Sequence, residues 1–430
     1  MTRLFTSFCA LVIATGAFAQ AGYRPAPENL LSRSQFADCR FGIFLHWGLY
    51  AMLAQGEWAM TNHNLYYREY EKLAGGFYPS KFDADAWAEA FRQAGARYVC
   101  FTTRHHDGFS MFRTAQTPYN IVDATPFARD AVKELADACH RRGLRVHFYY
   151  SLIDWWREDA PRGRTGLGTG RPAEKEDADA YFDFMKAQLT ELLTQYGNVG
   201  AIWFDGIWDQ DENPGFDWRL GELYGLIHKL QPGCLIINNH HLAPFEGEGA
   251  QAFERDLPGE NTAGYSGQEI SRLPLETCQT MNGMWGYKIT DQNYKSAQTL
   301  VRYLAGAAGR GANLLLNIGP QPDGALPAAA LERLDSMGRW LRANGETIYG
   351  TQAGPVSPRS WGVTTRRGDK IYVHILDWPD EELFVPVRDE RIRRAVRFAD
   401  KRAVAFSQDK AGVTLRLGEK PAGADCIVEL

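Results

Sequence analysis

Short apolar runs alternate along this chain with longer segments whose apolar residues recur every three to four positions. The apolar runs are 41–47 (FGIFLHW), 98–106 (YVCFTTRHH), 145–151 (RVHFYYS), 201–206 (AIWFDG), 234–239 (CLIINN) and 313–319 (NLLLNIG). Continuous apolar runs of this length suit strands buried on both faces, as in a parallel sheet. The intervening segments 83–95, 128–143, 177–197, 216–233, 296–311 and 328–345 carry helical spacing. Asp83 stands where an N-cap belongs, and Gly95, Gly143 and Gly197 stand where helices stop. Strand alternating with helix implies right-handed crossovers within one parallel sheet. A further strand is expected near 274–277, and one more that the pattern does not place would bring the total to eight. Residues 20–350 are therefore expected to form a TIM-type (β/α)8 barrel. A doubly wound open sheet is the alternative, weakened because no GxGxxG lies between a strand and a helix.

After Gly350 the pattern changes. Segments 370–378, 382–387, 395–400, 403–409, 412–418 and 425–430 alternate or are β-branched, with Gly, Asp and Lys between them. Residues 351–430 are expected to form a small C-terminal all-β sandwich packed on the barrel. The first 19 residues read as a signal peptide: Arg3, an apolar stretch to Phe18, and Ala17-Phe18-Ala19 before Gln20. Export to the periplasm or outside the cell is expected. Thr6, Ser7 and Thr15 make that stretch a poor membrane span, and no other run is long enough, so no stable membrane insertion is expected.

Composition narrows the classes. Lys plus Arg number 47 against 52 Asp plus Glu, a net charge of −5, which argues against a nucleic-acid partner. Aromatics make up 13% with 12 Trp, enough for a large core or for rings that stack on sugar faces. Cys39, Cys100, Cys139, Cys234, Cys278 and Cys426 are far apart and mostly sit in apolar patterns, so buried thiols are expected rather than a disulfide scaffold. No CxxC or CxxH spacing supports a zinc site.

In a (β/α)8 barrel the chemistry sits at the C-terminal ends of the strands. Those ends carry His46 and Trp47, followed by Glu57 and Trp58; His105, His106 and Asp107; Tyr149 and Tyr150, followed by Asp154 to Trp156; Trp203 and Asp205; Asn238 to His241; and Asn317. Glu254 and Glu276 follow the fifth run. Such a set offers directional hydrogen bonds and flat apolar faces, which suit one ring with several hydroxyls. A carboxylate at Asp205, ending a buried strand between Trp203 and Trp208, is costly unless used or paired. Either Glu254 or Glu276 could approach it, and two carboxyls about 5 Å apart are the apparatus of retaining glycoside hydrolysis. His46, His105, His106, Asp107 and His240 also admit a metal reading. Against it, HWG offers no HxH pair, and adjacent side chains such as His105 and His106 point opposite ways in a strand.

The strings RFGIFLHWGLYAM with QGEW, EYEKLAGGFYPSKFDADAW, TTRHHDGFSMF, YYSLIDWW, WFDGIW, LETCQTMNGMWGY and NLLLNIGPQPDG stand in that order over residues 28–350. Together they resemble the α-L-fucosidases of glycoside hydrolase family 29. The resemblance implies a barrel followed by a β-sandwich, no metal and no cofactor, and a fucosylated oligosaccharide or glycoconjugate as partner; an oligomer is left open. It implies that Asp205 is the nucleophile, and that His46, Glu57, Trp58, His105, His106, Tyr150 and Trp203 hold the sugar. Glu254 is the favoured acid/base, expected in a loop after the fifth strand. Glu276 is the alternative, in LETC, where Leu275 replaces the Trp common in the family. An Arg that some members place after the fifth strand is replaced here by the Asn239–His240 region. The acid's pKa is expected to be raised by its anionic neighbour Asp205. A non-catalytic fucose-binding barrel and a metal-dependent hydrolase are the competing readings. The Gly- and charge-rich loop 157–177 is expected to border the entrance.

Overall fold

The computed structural model describes residues 22–378, 380–419 and 423–430. The signal peptide expected over 1–19 lies outside the described residues. Eight strands form one sheet: β1 (Phe41–Leu45), β2 (Tyr98–Arg104), β3 (Arg145–Ser151), β4 (Val199–Asp205), β5 (Leu235–Asn239), β6 (Gln251–Glu254), β7 (Leu275–Thr280) and β8 (Ala312–Ile318). Their order is β5-β4-β3-β2-β1-β8-β7-β6, and every paired neighbour is parallel. The two edges meet where the Gly249 N–H donates to the Ile236 carbonyl at 2.8 Å. The sheet thus curls into the expected barrel. The strand that the sequence pattern does not place is β6. Its four residues, QAFE, lie between Gly249 and the charged pair Arg255-Asp256, too short and too polar for periodicity to register.

Helix ends follow the chemistry of the sequence. The Asp83 carboxylate accepts the Ala86 N–H at 2.9 Å, and Asp130 and Asp177 cap their helices through Lys133 at 2.8 Å and Ala180 at 3.1 Å. Gly143, at φ 70°, takes the left-handed turn that ends the helix Ala131–Arg141.

Alternation along each strand sorts side chains into two cores. Ala201 and Trp203 point inward with Phe44, Tyr149, Ile237, Ala252, Cys278 and Leu315. Ile202 and Phe204 point outward, into the shell packed by the helices. Phe36, from the helix Pro27–Ala37, stacks edge-on against Tyr98 at 5.3 Å and closes the N-terminal end of the barrel. The opposite end, where all eight strands finish, is left for the site.

Beyond the barrel come β9 (Gln352–Ala353), β10 (Gly362–Arg367), β11 (Lys370–Ile375), β12 (Glu382–Val385), β13 (Val396–Arg397), β14 (Ala405–Gln408), β15 (Val413–Arg416) and β16 (Cys426–Glu429). They make two antiparallel sheets, β13-β16-β11-β10-β9 and β12-β15-β14. Ile371, Val373 and Val428 of one sheet pack on Leu383, Val385, Val413 and Leu415 of the other. Tyr372 and Ile427 face the other way, toward Trp340 of the barrel helix Ala328–Asn344. The sandwich therefore sits against the barrel's flank, away from the strand ends. The strand expected over 395–400 shrinks to Val396–Arg397, and the β10 half of the β10–β11 hairpin was not anticipated. The cysteines Cys39, Cys100, Cys139, Cys234, Cys278 and Cys426 are free thiols. Among the described residues no helix is long and apolar enough to cross a membrane.

Candidate active site

A cavity of about 410 Å³ opens at the C-terminal ends of the strands, a size suited to a small ligand. Asp205 and Glu254 both line it. The inward parity that sends Ala201 and Trp203 into the barrel also sends Asp205 to its rim. Gly206 follows at φ 104°, and a Cβ there would meet Ile153 at 2.6 Å. Glycine thus lets the chain turn back at once, and Trp208 reaches the carboxylate it follows.

Asp205 is held by neutral donors. Tyr149 OH donates to its Oδ2 at 2.9 Å and Trp208 Nε1 to its Oδ1 at 3.1 Å. Burial, then the charge of Glu254, pushes its pKa up to about 6. Glu254 is the last residue of β6, not part of a loop as expected. Its Oε2 accepts Asn239 Nδ2 at 2.8 Å and faces His241 Nε2 at 3.2 Å. Burial works to raise the Glu254 pKa, but the hydrogen bonds from His241 and Asn239 outweigh it and hold it below the usual carboxylate range. This reverses the expected order: in the free protein the nucleophile candidate is the weaker acid.

Four imidazoles line the cavity, those of His46, His105, His106 and His241. The Asn317 amide nitrogen donates to the Trp285 carbonyl at 2.7 Å, so its oxygen faces His46 Nδ1, also at 2.7 Å. His46 therefore carries its proton on Nδ1, and Nε2 is an acceptor. The Ser151 hydroxyl donates to the Ile153 carbonyl at 2.7 Å and so accepts from His106 Nδ1 at 2.6 Å. His106 Nε2 is again an acceptor, 3.7 Å from Asp205 Oδ2. Burial pushes both pKa values down to about 3. Both rings are thus neutral and suited to take hydrogen bonds from sugar hydroxyls. His105 stacks on Tyr149, with centroids 5.3 Å apart, and its ring lies 4.2 Å from that of His106. Both residues follow the end of β2 rather than lying in it, so the opposed directions expected of strand neighbours do not arise.

Glu57 is buried and its Oε2 accepts the Gly286 N–H at 2.7 Å. Trp58 stands edge-on to His106 at 5.7 Å and parallel to Trp208 at 5.8 Å. Trp203 lies over the floor, stacked on Tyr149 at 5.6 Å. Loop 157–177 does reach the mouth, through Arg164 and Thr165. The Thr165 N–H donates to the buried Asp209 carboxylate at 2.8 Å, which fixes that wall.

Two expected site residues lie elsewhere. Tyr150 points outward from the barrel, where its hydroxyl donates to Gln188 at 2.9 Å and its ring lies under the Arg104 guanidinium. Tyr149 takes the inward place, because alternation admits only one of two adjacent tyrosines. Glu276 is fully buried a layer below the cavity, accepting Tyr98 OH at 2.6 Å and Trp203 Nε1 at 2.8 Å. Burial pushes its pKa up to about 7. It supports the floor and does not line the cavity. His240 is also set apart, paired with Glu248 at 3.0 Å. Among the described residues no cluster of three or more His, Cys, Asp or Glu is arranged to hold a metal ion.

The sequence reading did not assign roles to Tyr149, Trp208, Asn239, His241 and Arg255, all of which line the cavity. Arg255 follows the acid directly. Its guanidinium lies 5.0 Å from the Trp285 ring centroid and its Nε 3.9 Å from Glu254 Oε1. Its place next to a carboxylate in AFERD was the available signal.

The sequence profile of the α-L-fucosidase family matches residues 10–346. This chain belongs to that family. The plasma α-L-fucosidase of Rattus norvegicus is 29% identical over 398 residues, covering 83% of this chain and 81% of the relative. Among solved structures, α-L-fucosidase isoenzyme 1 from Paenibacillus thiaminolyticus superposes with a TM-score of 0.83 at 34% identity, covering 94% of this chain and 99% of the other. A family 29 α-L-fucosidase from Bacteroides thetaiotaomicron, trapped as a covalent intermediate with 2-fluoro-fucosyl fluoride, gives 0.80 at 25% identity, over 95% and 97% of the two chains. As a member of the α-L-fucosidase family the chain is a glycoside hydrolase.

Proposed function

We propose that the protein is an exported, retaining α-L-fucosidase that removes terminal α-L-fucose from glycans or glycoconjugates through a fucosyl-enzyme ester on Asp205. The observation that carries this reading is the single amide between the carboxylates. Asn239 Nδ2 lies 2.8 Å from Glu254 Oε2 and 3.5 Å from Asp205 Oδ1. The two oxygens can lie no further apart than those distances laid end to end, about 6.3 Å. Retaining enzymes hold their carboxyls about 5–5.5 Å apart, whereas inverting ones leave about 6.5–9.5 Å for a water. Export rests on the composition of residues 1–19.

In the first step Glu254, protonated, gives its proton to the glycosidic oxygen while Asp205 attacks the anomeric carbon and the C–O bond to the aglycone breaks. In the second, Glu254 as a base takes a proton from water, whose oxygen displaces Asp205 and releases fucose. The pair must carry one proton, and that proton must sit on Glu254. A sugar hydroxyl donating to Asp205 favours the Asp205 anion, and so moves the proton toward Glu254. His46 and His106, as neutral acceptors, and buried Glu57 take the remaining hydroxyls, while the faces of Trp58 and Trp203 cover the apolar side of the ring. Proton NMR of the first-formed product tests the stereochemistry. The α anomer is expected, and initial release of the β anomer would overturn retention.

A further inference from the structure

Glu254 marks the side on which the leaving group departs, and one exposed aromatic ring stands there. Tyr265 is 47% exposed, yet it borders the cavity. It is the only one of the exposed large apolar or aromatic side chains, among the described residues, to do so. Its ring centroid is 5.6 Å from that of His241, whose Nε2 is in turn 3.2 Å from Glu254 Oε2.

The loop that presents Tyr265 is registered against the acid itself. Ser266, the next residue, is buried; its hydroxyl donates to the Glu254 carbonyl at 3.0 Å, and its N–H donates to Asn261 Oδ1 at 3.0 Å. Two residues on, Gln268 Nε2 donates to the Ala252 carbonyl at 2.9 Å. The chain around Tyr265 thus runs beside β6 and returns to the strand that carries Glu254. An exposed ring with only two side-chain torsions, fixed in position by its neighbour's bonds, is a low-entropy contact surface.

We propose that the face of Tyr265 is the platform for the sugar to which fucose is attached. The protein's substrates are then fucosylated oligosaccharides, whose adjoining pyranose lays an apolar C–H face on that ring. This rests on the fucosidase reading and adds the residue that selects the leaving group.

The test compares two substrates of the full-length protein and its Tyr265→Ala and Tyr265→Phe variants. One is α-L-fucosyl fluoride, whose leaving group is too small to touch Tyr265. The other is the best-cleaved member of a set of fucosylated disaccharides covering the α-1,2, 1,3, 1,4 and 1,6 linkages. The readout is the ratio of kcat/KM for disaccharide to that for fluoride. Tyr265→Ala is expected to lower this ratio about tenfold, chiefly through KM, the size of one well-packed aromatic contact. Tyr265→Phe, which keeps the ring, is expected to hold the ratio within about twofold of wild type. An unchanged ratio in Tyr265→Ala, an equal loss in Tyr265→Phe, or wild-type turnover of the fluoride but of no disaccharide would each overturn the proposal. Failure of the wild type to hydrolyse the fluoride would instead sink the fucosidase reading, which keeps the two failures distinct.

Discussion

Asn239 and Glu254 are joined by a 2.8 Å hydrogen bond, and the same amide nitrogen sits 3.5 Å from Asp205. The bond crosses from β5 to β6, the first and last strands of the sheet order, which meet at the barrel's seam. One side chain thus spans the seam of the barrel and reaches both candidate carboxylates. Its effect on charge is unequal. Asn239 and His241 favour the Glu254 anion, while burial and that anion push Asp205 up to about 6.

A pH profile follows. Turnover needs one proton on the pair, and the last proton leaves near pH 6. kcat/KM on a substrate with a poor leaving group is expected to fall above about pH 6, as both carboxyls ionise. In Glu254→Ala that limb should vanish, with activity on a good leaving group persisting at higher pH. An unchanged alkaline limb in the variant would remove Glu254 from the acid role.

Wild-type stability should also fall as pH rises. A carboxyl whose folded pKa is raised from 3.8 to about 6 costs nothing below pH 3.8, and costs most above about pH 6. Asp205→Asn is therefore expected to melt at a higher temperature than wild type at pH 7.5, by up to about 3 kcal/mol of stability. The advantage should shrink to nothing as pH falls toward 4. Calorimetry at the two pH values checks it.

The adjacent tyrosines separate by face. Tyr149→Phe removes a hydrogen bond to the Asp205 carboxylate and is expected to lower kcat/KM about tenfold to a hundredfold. Tyr150→Phe loses its bond to Gln188 in the helix shell and should cost about 1 kcal/mol of stability with activity unchanged. Equal kinetic losses would contradict the inward assignment of Tyr149.

Glu276→Gln tests the floor. The amide oxygen can accept only one of the two bonds, so either Trp203 Nε1 faces the amide nitrogen or the Tyr98 hydroxyl must turn to accept from it. A stability loss of about 1–3 kcal/mol is expected. The kinetic loss should be far smaller than that of Glu254→Ala and should not depend on the leaving group. A strong leaving-group dependence would restore Glu276 as the acid.

Much of this was legible in the sequence. The apolar runs place six of the barrel strands because burial on both faces writes itself as uninterrupted hydrophobicity, and a seventh was expected near 274–277. β6 escaped because a four-residue strand ending in a carboxylate carries no such signature, and Glu254 was assigned to a loop for that reason. The misplacement of Tyr150 has a different cause. Two tyrosines in a row satisfy any sequence pattern equally, and only pairing of Tyr149 with Trp203 across β3 and β4 decides which one points inward. The roles of Asn239 and His241 depend on the approach of strands that are neighbours only once the barrel closes.

Retention requires that Asp205 form a covalent bond to the sugar. Incubation with 2-fluoro-fucosyl fluoride, digestion and mass spectrometry measure it directly. A single 2-fluorofucosyl adduct is expected on the peptide carrying Asp205, in ester linkage to that side chain. An adduct on Glu254 or Glu276, or turnover of the reagent with no adduct at any time, would contradict it.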